Sequence, residues 1–511
     1  MVGHLYQSRP KVWATQPIRV VPSLPAMSWL AVVDKRGVAV VCGPGVEHRD
    51  EGVFEGCWDG EFEAFDFHEA ATVAGSGIRF TRAGLHFVSP SHTLEGLYVL
   101  ETPRRLVVSN SIAFLLRHER LDVPTSARVC RQLATVVLGM DRYEPVVFAT
   151  DDHRLSRVVN ATIDLGRAGV TVRQRSGDRA FDTFAKYRGH VLETIRRVAV
   201  NGASPSRGRR FGLVTTVSSG YDSAACAALA RACGCRTAVT LSEGRSGRGD
   251  SGRPVAEALG LDVHEAERSA MAGLDDAATA AEFIATGMGG EDLPLAAFES
   301  VVPGNVLLTG FHGDKVWDGA IPPNDALIRG DVSGSSLTEF RLRTGFVHLP
   351  VPFIGALGHA DITRITHAEE MRPFSVGGSY DRPIPRRIAE EAGVPRELFG
   401  QRKEMVSVLG FVRLGVLPRA ARNEIAAYAR AHASSWLRMA SLVWFARLNT
   451  WRGIRVLGRR FGLAHLPKRL ECAVIGDDYK VFEHASPISG ELAFRWAIER
   501  VGTRYALDRE D

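Results

Sequence analysis

The sequence has little cysteine, little lysine and no long apolar run, and each scarcity excludes a class of protein. Its 7 cysteines are odd in number and scattered over 511 residues, which favours reduced thiols over a disulfide framework. No segment approaches the roughly 18 uninterrupted apolar residues of a membrane span. The opening residues, MVGHLYQSRPKVW, lack an apolar segment and a cleavage site. We therefore expect a cytoplasmic protein with no membrane partner.

The basic charge gives little support for a nucleic-acid partner. Only 7 of the 63 basic residues are lysine, the other 56 are arginine, and the net charge is +5. The arginines are dispersed, with no RNA-binding signature and no stripe of alternating basic and aromatic residues. We predict no nucleic-acid partner. A composition of 45% hydrophobic and 24% charged residues is typical of a soluble globular protein.

The first part of the chain is predicted to be β-rich. Short β-branched runs alternate with Gly, Pro, Asp or Arg turns, a pattern typical of consecutive short strands. Six strands are predicted at 29–33, 38–41, 78–81, 85–88, 97–100 and 106–108. A helix is predicted over 184–198, where apolar residues share one face.

From Phe211 onward strands and helices alternate. Strands are predicted at 213–217, 236–241, 263–265 and 305–309, with a helix over 253–259. Repeated βα units predict an α/β fold with a doubly wound parallel sheet. From about residue 388 the chain is predicted to be helical, and its tryptophans, at helical spacing, are interpreted as core: Trp436, Trp444, Trp451 and Trp496. Cys233 and Cys235 flank a glycine at a helix end, which predicts a C-cap.

Two strand-to-helix loops carry the candidate chemistry. The first, SSGYDS at 218–223, follows a buried strand and precedes an Ala-rich helix, a geometry that directs backbone N–H groups at an anion. The second, TGFHGDKVWDG at 309–319, follows the strand 305–309. Asp222 and Asp314 are two carboxylates suited to Mg²⁺ bound to phosphate oxygens. Each aspartate alone is also explained as a helix N-cap.

Together these loops resemble the synthetase domain of the asparagine synthetase superfamily, whose members include asparagine synthetase, β-lactam synthetase and lasso-peptide cyclases. The first loop is similar to that family's S-G-G-x-D-S, and the second to S-G-E-G-x-D-E-x-x-G-G. The segment GVPRELFGQRK, ending at Lys403, is similar to the family segment with a catalytic lysine. More loosely, residues 96–98 and 107–111 resemble the family's glutaminase-like domain. The resemblance implies a glutaminase-like domain over 1–175 and an ATP-binding synthetase domain over 176–511, with a helical C-terminal extension.

The resemblance also implies roles for individual residues. ATP and Mg²⁺ are the expected cofactors, with Asp222 and Asp314 as metal ligands. Lys403 would stabilise negative charge in the transition state, and the alternative interpretation is a solvated lysine in a charged surface run. The nucleotide would be contacted by both loops and by the end of the second strand: Ser218, Ser219, Gly220, Asp222, Ser223, Leu241, Ser242, Thr309 and Gly310.

Five departures from the family pattern limit what is expected, and they are at Val2, Ser219, Phe311, His312 and Lys315. Ser219 stands where the family's first loop has its first glycine. Val2 stands where the family's glutaminases have their nucleophilic cysteine, so we expect a vestigial glutaminase domain that releases no glutamate from glutamine. Phe311 stands where relatives have Glu or a catalytic Tyr, and a phenyl ring cannot transfer protons. His312 is either the replacement base or a packed loop histidine. Lys315 also departs from the pattern.

The predicted activity is an ATP- and Mg²⁺-dependent ligase that joins a carboxylate to an amine through an acyl-adenylate. Its partners would be a small-molecule or peptide carboxylate and an amine that does not come from glutamine. Two alternatives remain open, a degenerate non-catalytic ATP-binding scaffold and asparagine-synthase-type amidation with free ammonia. The oligomeric state is open as well, a homodimer included.

Overall fold

A computed structural model describes residues 17–167, 169–175, 180–244, 247, 249–268, 276–378, 380–401, 417–462, 467–476, 478–482 and 487–507. The strands are β1 Arg19–Val20, β2 Trp29–Asp34, β3 Gly37–Cys42, β4 Glu47–Arg49, β5 Gly52–Trp58, β6 Val73–Phe80, β7 Gly84–Val88, β8 Leu97–Glu101, β9 Leu106–Ser109, β10 Val146–Ala149, β11 Arg154–Val158, β12 Ala161–Gly166, β13 Gly169–Gln174, β14 Gly212–Thr216, β15 Thr237–Leu241, β16 Asp262–Ala266, β17 Asn305–Thr309 and β18 Val347–Pro350. The α-helices are Ile112–Glu119, Val129–Ala134, Phe184–Ala203, Tyr221–Ala232, Arg253–Ala258, Ala277–Ile284, Gly313–Val316, Thr338–Thr344, His359–Thr366, Pro383–Glu391, Arg419–His432, Ser435–Arg460, Lys468–Ile475, Tyr479–Phe482 and Ala493–Gly502.

The N-terminal region is a sandwich of two sheets, in keeping with its predicted β-rich character. One sheet has the strand order β1-β3-β2-β9-β8-β11-β10 and the other β13-β12-β7-β6-β5-β4. The directions of the side chains in β2 show how the sandwich is built. Trp29, Ala31 and Val33 pack into the core between the sheets, while Leu30 packs into a second core on the opposite face. Successive strand residues point to opposite faces, so both faces of this sheet are covered.

The second part of the chain is built on a five-stranded parallel sheet of order β16-β15-β14-β17-β18. Apolar residues of its strands pack into two different cores. Val214 and Leu307 belong to one core, and Val306 and Leu308 belong to the other. A parallel sheet with both faces covered is typical of α/β proteins. The molecule is therefore mixed α/β, with a β-rich N-terminal region followed by a parallel sheet and helices.

Most of the predicted elements are confirmed, with ends shifted by a few residues. The strand β17 has the predicted bounds, whereas the predicted helix 184–198 continues to Ala203. The helix Tyr221–Ala232 has Cys233 as its C-cap, and Gly234 follows with φ +93°, as predicted. The strand β18 was not predicted, because Val347–Pro350 lies in a short apolar run with no periodicity.

The C-terminal helices confirm three of the four core tryptophans. Trp444, Trp451 and Trp496 are buried, but Trp436 is 62% exposed, so its prediction as a core residue is wrong. It lies in the first turn of Ser435–Arg460, outside the small core to which this helix contributes Trp444 and Trp451. In the described part of the chain, no helix has the length and apolar character needed to cross a membrane.

Candidate functional site

A cavity of about 220 Å³ lies where β14, β15 and β17 end. Strand β14 is central, the chain continues from it to β15 on one side, and β17 pairs with it on the other. Ligands of open α/β sheets bind at such a point, where the strand order reverses. The wall includes nine predicted site residues: Ser218, Gly220, Asp222, Ser223, Leu241, Thr309, Gly310, His312 and Asp314.

The first loop is held in shape by its own serines. The hydroxyls of Ser218 and Ser223 lie 2.7 Å apart, and the backbone N–H of Ser218 donates to Oγ of Ser223 at 3.0 Å. The N–H of Gly220 donates to Oγ of Ser218 at 3.2 Å. These bonds fix the turn that begins the helix Tyr221–Ala232 and place Asp222 in its first turn, at the positive end of the helix dipole.

The second loop lies directly against the first, and two glycines make this approach possible. A Cβ on Gly310 would lie 2.9 Å from the carbonyl carbon of Asp222, and one on Gly313 only 2.5 Å from its Cγ. Distances under about 3 Å are not tolerated between such atoms. Because Gly310 and Gly313 have no side chain, the two loops can touch at these positions, and both candidate aspartates reach one cavity.

Replacing Gly313 by alanine is expected to push the Asp222 carboxylate out of place and, if the cavity takes the nucleotide that the resemblance implies, to weaken its binding about tenfold. Gly189→Ala is the matched control, because a Cβ there meets no described atom within 4 Å and Gly189 lies in the helix Phe184–Ala203. The control should stabilise the fold by about 0.5–1 kcal/mol. Calorimetric titration with Mg·ATP and urea unfolding measure both effects. Equal affinities of the two variants would contradict the close approach of the loops.

Both candidate metal carboxylates have cationic neighbours. Nη1 of Arg382 lies 2.5 Å from Oδ2 of Asp222, and Nζ of Lys315 lies 2.7 Å from Oδ2 of Asp314. Burial disfavours the charged guanidinium of Arg382, but Asp222 and, more weakly, Asp314 outweigh it and raise its pKa. Both carboxylates thus act on the same buried cation.

His312 faces the cavity in an unusual state. It is 6% exposed, has the left-handed φ of +77° and stacks on Phe353 with ring centroids 4.5 Å apart. Neither ring nitrogen has a hydrogen-bond partner among the described residues. Burial, and then Arg329, lower its pKa to about 3, so the imidazole is neutral at physiological pH. A strained, buried polar group without partners is typical of functional sites.

The lowered pKa of His312 predicts that the stability of the fold depends on pH. Below its ordinary pKa of 6.5 the unfolded chain binds a proton that the folded protein does not bind until about pH 3. Stability therefore falls as the pH drops through this window, by up to about 1.4 kcal/mol per pH unit for this group. We expect His312→Gln to flatten the curve below pH 6.5 and to leave its shape above pH 7 unchanged. Urea unfolding at pH 8, 6.5 and 5 measures this, and parallel curves would contradict it.

Two predicted site residues that the structure describes, Ser219 and Ser242, are not part of the cavity wall. Ser219 donates to Oδ1 of Asp250 at 2.6 Å, and the carbonyl of Ser242 accepts from the N–H of Asp250 at 3.1 Å. Lys403 lies outside the described residues. The described chain before it ends at Gln401, and the N–H of Gly400 donates to the carbonyl of Ser219 at 2.8 Å.

The cavity wall also contains residues that the sequence did not indicate. Arg382 and Tyr380 precede the helix Pro383–Glu391. Further wall residues are Leu295 and Phe298 in the 3-10 helix Leu293–Phe298, Asp292 at its N-cap, and Asp331 and Ser333 in a loop. Arg382 is one of 56 arginines and lies in no motif. One local signal lies next to it. Pro383 marks the start of a helix, and Arg382 is the residue that precedes this helix.

Comparison with known proteins adds no family assignment. The chain matches no model of a known protein family. It also matches no curated protein at significant similarity.

Proposed function

We propose that the chain is an ATP- and Mg²⁺-dependent ligase that joins a carboxylate to an amine, with a glutaminase-like N-terminal domain that has lost its own activity. The observation that carries this proposal is the shared cavity. Two strand-to-helix loops, each with one aspartate on the cavity wall, meet at the carboxyl ends of adjacent parallel strands. That is the geometry expected for a nucleotide whose phosphates are bound by loop N–H groups and by a metal.

The donor set fits Mg²⁺. The described residues contain no group of three or more His, Cys, Asp or Glu that would enclose a metal. Mg²⁺ in nucleotide sites takes one or two carboxylates, with phosphate oxygens and water completing its shell. Asp222 and Asp314 are the residues that would hold it. When bound, the ion would neutralise charge on the phosphate oxygens as pyrophosphate leaves.

The chain's own residues have distinct roles in the proposed reaction. A substrate carboxylate oxygen bonds to the α-phosphorus of ATP as pyrophosphate leaves, and an amine then bonds to the acyl carbon as AMP leaves. Arg382 supplies a buried positive charge beside the phosphates. His312 lines the same cavity, but burial lowers its pKa to about 3, which makes its imidazole a weak base, so the proton of the amine passes to solvent.

Isotope exchange tests this proposal. The protein with Mg·ATP and labelled pyrophosphate is offered pools of amino acids, small carboxylic acids or peptides, with no further amine added. Exchange that depends on an added acid is expected, because adenylation is then reversible. Amide formation is assayed afterwards with free ammonia and with primary amines. Nucleotide binding without exchange for any acid would contradict the ligase.

One observation favours the alternative of a non-catalytic nucleotide-binding scaffold. Arg382 and Lys315 already pair with the two candidate metal carboxylates, and Phe311 leaves the second loop without the family's polar residue. A scaffold would bind ATP equally well with and without Mg²⁺. A ligase would need the metal, so an ATP titration in the presence of a chelator separates the two.

A further inference from the structure

A chain of buried polar side chains connects the N-terminal sandwich to the cavity wall. The hydroxyl of Thr309 lies 2.9 Å from Nε2 of His348, and Nδ1 of His348 lies 3.5 Å from Oε1 of Glu95. The other oxygen of Glu95 accepts from Nε of Arg341 at 2.8 Å. The same guanidinium donates to both carboxylate oxygens of Glu55 at 2.7 and 3.0 Å. All five residues are at most 3% exposed.

The members of this polar chain come from both halves of the molecule. Glu55 lies in β5 and Glu95 just before β8, both in the sandwich, whereas His348 lies in β18 and Thr309 ends β17. Arg341, in the helix Thr338–Thr344, joins the two halves. Buried charges persist only where they are paired and hydrogen-bonded, so each half requires the other.

The His348 ring contacts the second loop twice. Besides the Thr309 hydroxyl, it meets Phe311 edge-on, with ring centroids 5.9 Å apart and an interplanar angle of 89°. Glu95 lies on the Nδ1 side of the imidazole at 3.5 Å, an electrostatic contact and not a hydrogen bond, since Nδ1 has no hydrogen-bond partner among the described residues. Burial raises the pKa of Glu95, but Arg341 and His348 outweigh it and lower the value to about 2. The carboxylate is therefore charged throughout the physiological range.

We propose that Glu95 and His348 are positioning residues for the second loop, so that the N-terminal sandwich forms a structural part of the cavity. The sandwich then has a role that needs no glutaminase activity. It fixes the loop 309–314, which provides Gly310, His312 and Asp314. The loop-positioning role stands by itself, and only its effect on Mg·ATP rests on the proposed function.

Amide hydrogen exchange provides the direct test, because it requires no ligand. In Glu95→Gln and in His348→Gln, amides of 309–314 should exchange at least tenfold faster than in the parent, while those of 218–223 keep their rates. Ser76→Ala is the matched control. Its hydroxyl donates to Glu55 at 2.8 Å, on the side of the polar chain away from the cavity, so it should not change exchange in 309–314.

A double-mutant cycle with Mg·ATP adds the functional readout. Thr309→Val and His348→Gln should each weaken binding about tenfold, and the double variant should be no weaker than the poorer single one, because both act through one contact. Thr309→Ser keeps the hydroxyl and should restore most of the affinity. Should Glu95→Gln fail to fold, the His348 and Thr309 variants test the same contact.

The outcomes separate the two proposals. Faster exchange in 309–314 together with a parent that binds no Mg·ATP supports the positioning role and contradicts the nucleotide site. Unchanged exchange in 309–314 for both the Glu95 and His348 variants overturns the positioning role, whatever the parent binds. Equally faster exchange in both loops overturns it too, since that is a general loss of stability.

Discussion

Asp222→Asn and Asp314→Asn should each weaken Mg·ATP binding by roughly tenfold to a hundredfold, the range of one lost interaction with a charged group. Both carboxylates line one cavity and both act on Arg382. If they share one ion, the double variant should lose much less than the sum of the two single losses. Each variant should also need a higher Mg²⁺ concentration for half-maximal binding. Calorimetric titration with ATP at several Mg²⁺ concentrations measures this.

The control for this prediction is an aspartate that is only a helix cap. Asp276 accepts from the N–H of Ala278 at 2.8 Å at the start of Ala277–Ile284 and lies outside the cavity wall. Asp276→Asn should change stability slightly and leave the Mg²⁺ requirement unchanged. Arg382→Gln separates metal binding from the existing ion pair, since it removes the cation next to Asp222 while both carboxylates remain. The N-cap positions are taken by Gly220 and His312, so the N-cap interpretation of Asp222 and Asp314 is wrong. Small, additive losses with an unchanged Mg²⁺ requirement would show that they act only as first-turn carboxylates at the positive ends of their helices.

The sequence predicted the positions of the strands better than it predicted which strands pair. Short apolar runs bounded by turns identified β2 and β17, because β-branched residues and turns mark a strand without knowledge of its neighbours. Whether Leu30 or Trp29 faces the core between the sheets depends on pairing that no local pattern contains. The prediction of Trp436 as a core residue failed for a related reason. Helical spacing predicts that residues share a face, and it does not determine which face is covered.

The candidate site was predictable where it lies in a motif. The loops 218–223 and 309–314 each combine a strand end, glycine and aspartate, and both contribute to one wall. Arg382 and Asp292 come from segments far away in sequence, and only the fold brings them to the cavity. The buried chain from Glu55 to Thr309 is invisible in sequence for the same reason, since each member taken alone resembles any other polar residue of a strand or helix.

Lys403→Ala is expected to lower kcat by a hundredfold or more while changing KM for ATP little. A lysine near a developing oxyanion acts mainly in the transition state, and loss of one such group typically costs about 100- to 1000-fold. Lys403 itself lies outside the described residues. The segment before it reaches the first loop, since Gly400 donates to Ser219 and the ring of Phe399 lies edge-on to Tyr221, with centroids 5.9 Å apart.

Lys403→Arg distinguishes a specific role from a general need for positive charge. A planar guanidinium does not place a compact charge at the position of an ammonium, so the arginine variant should remain impaired in AMP and pyrophosphate formation. Lys480→Ala, a lysine outside the cavity wall, is the matched control and should keep the parent rate. Since the role proposed for Lys403 is in the transition state, its alanine variant should still bind Mg·ATP. A Lys403→Ala protein that turns over at the parent rate would contradict both the role of this lysine and the resemblance of residues 393–403 to the synthetase segment.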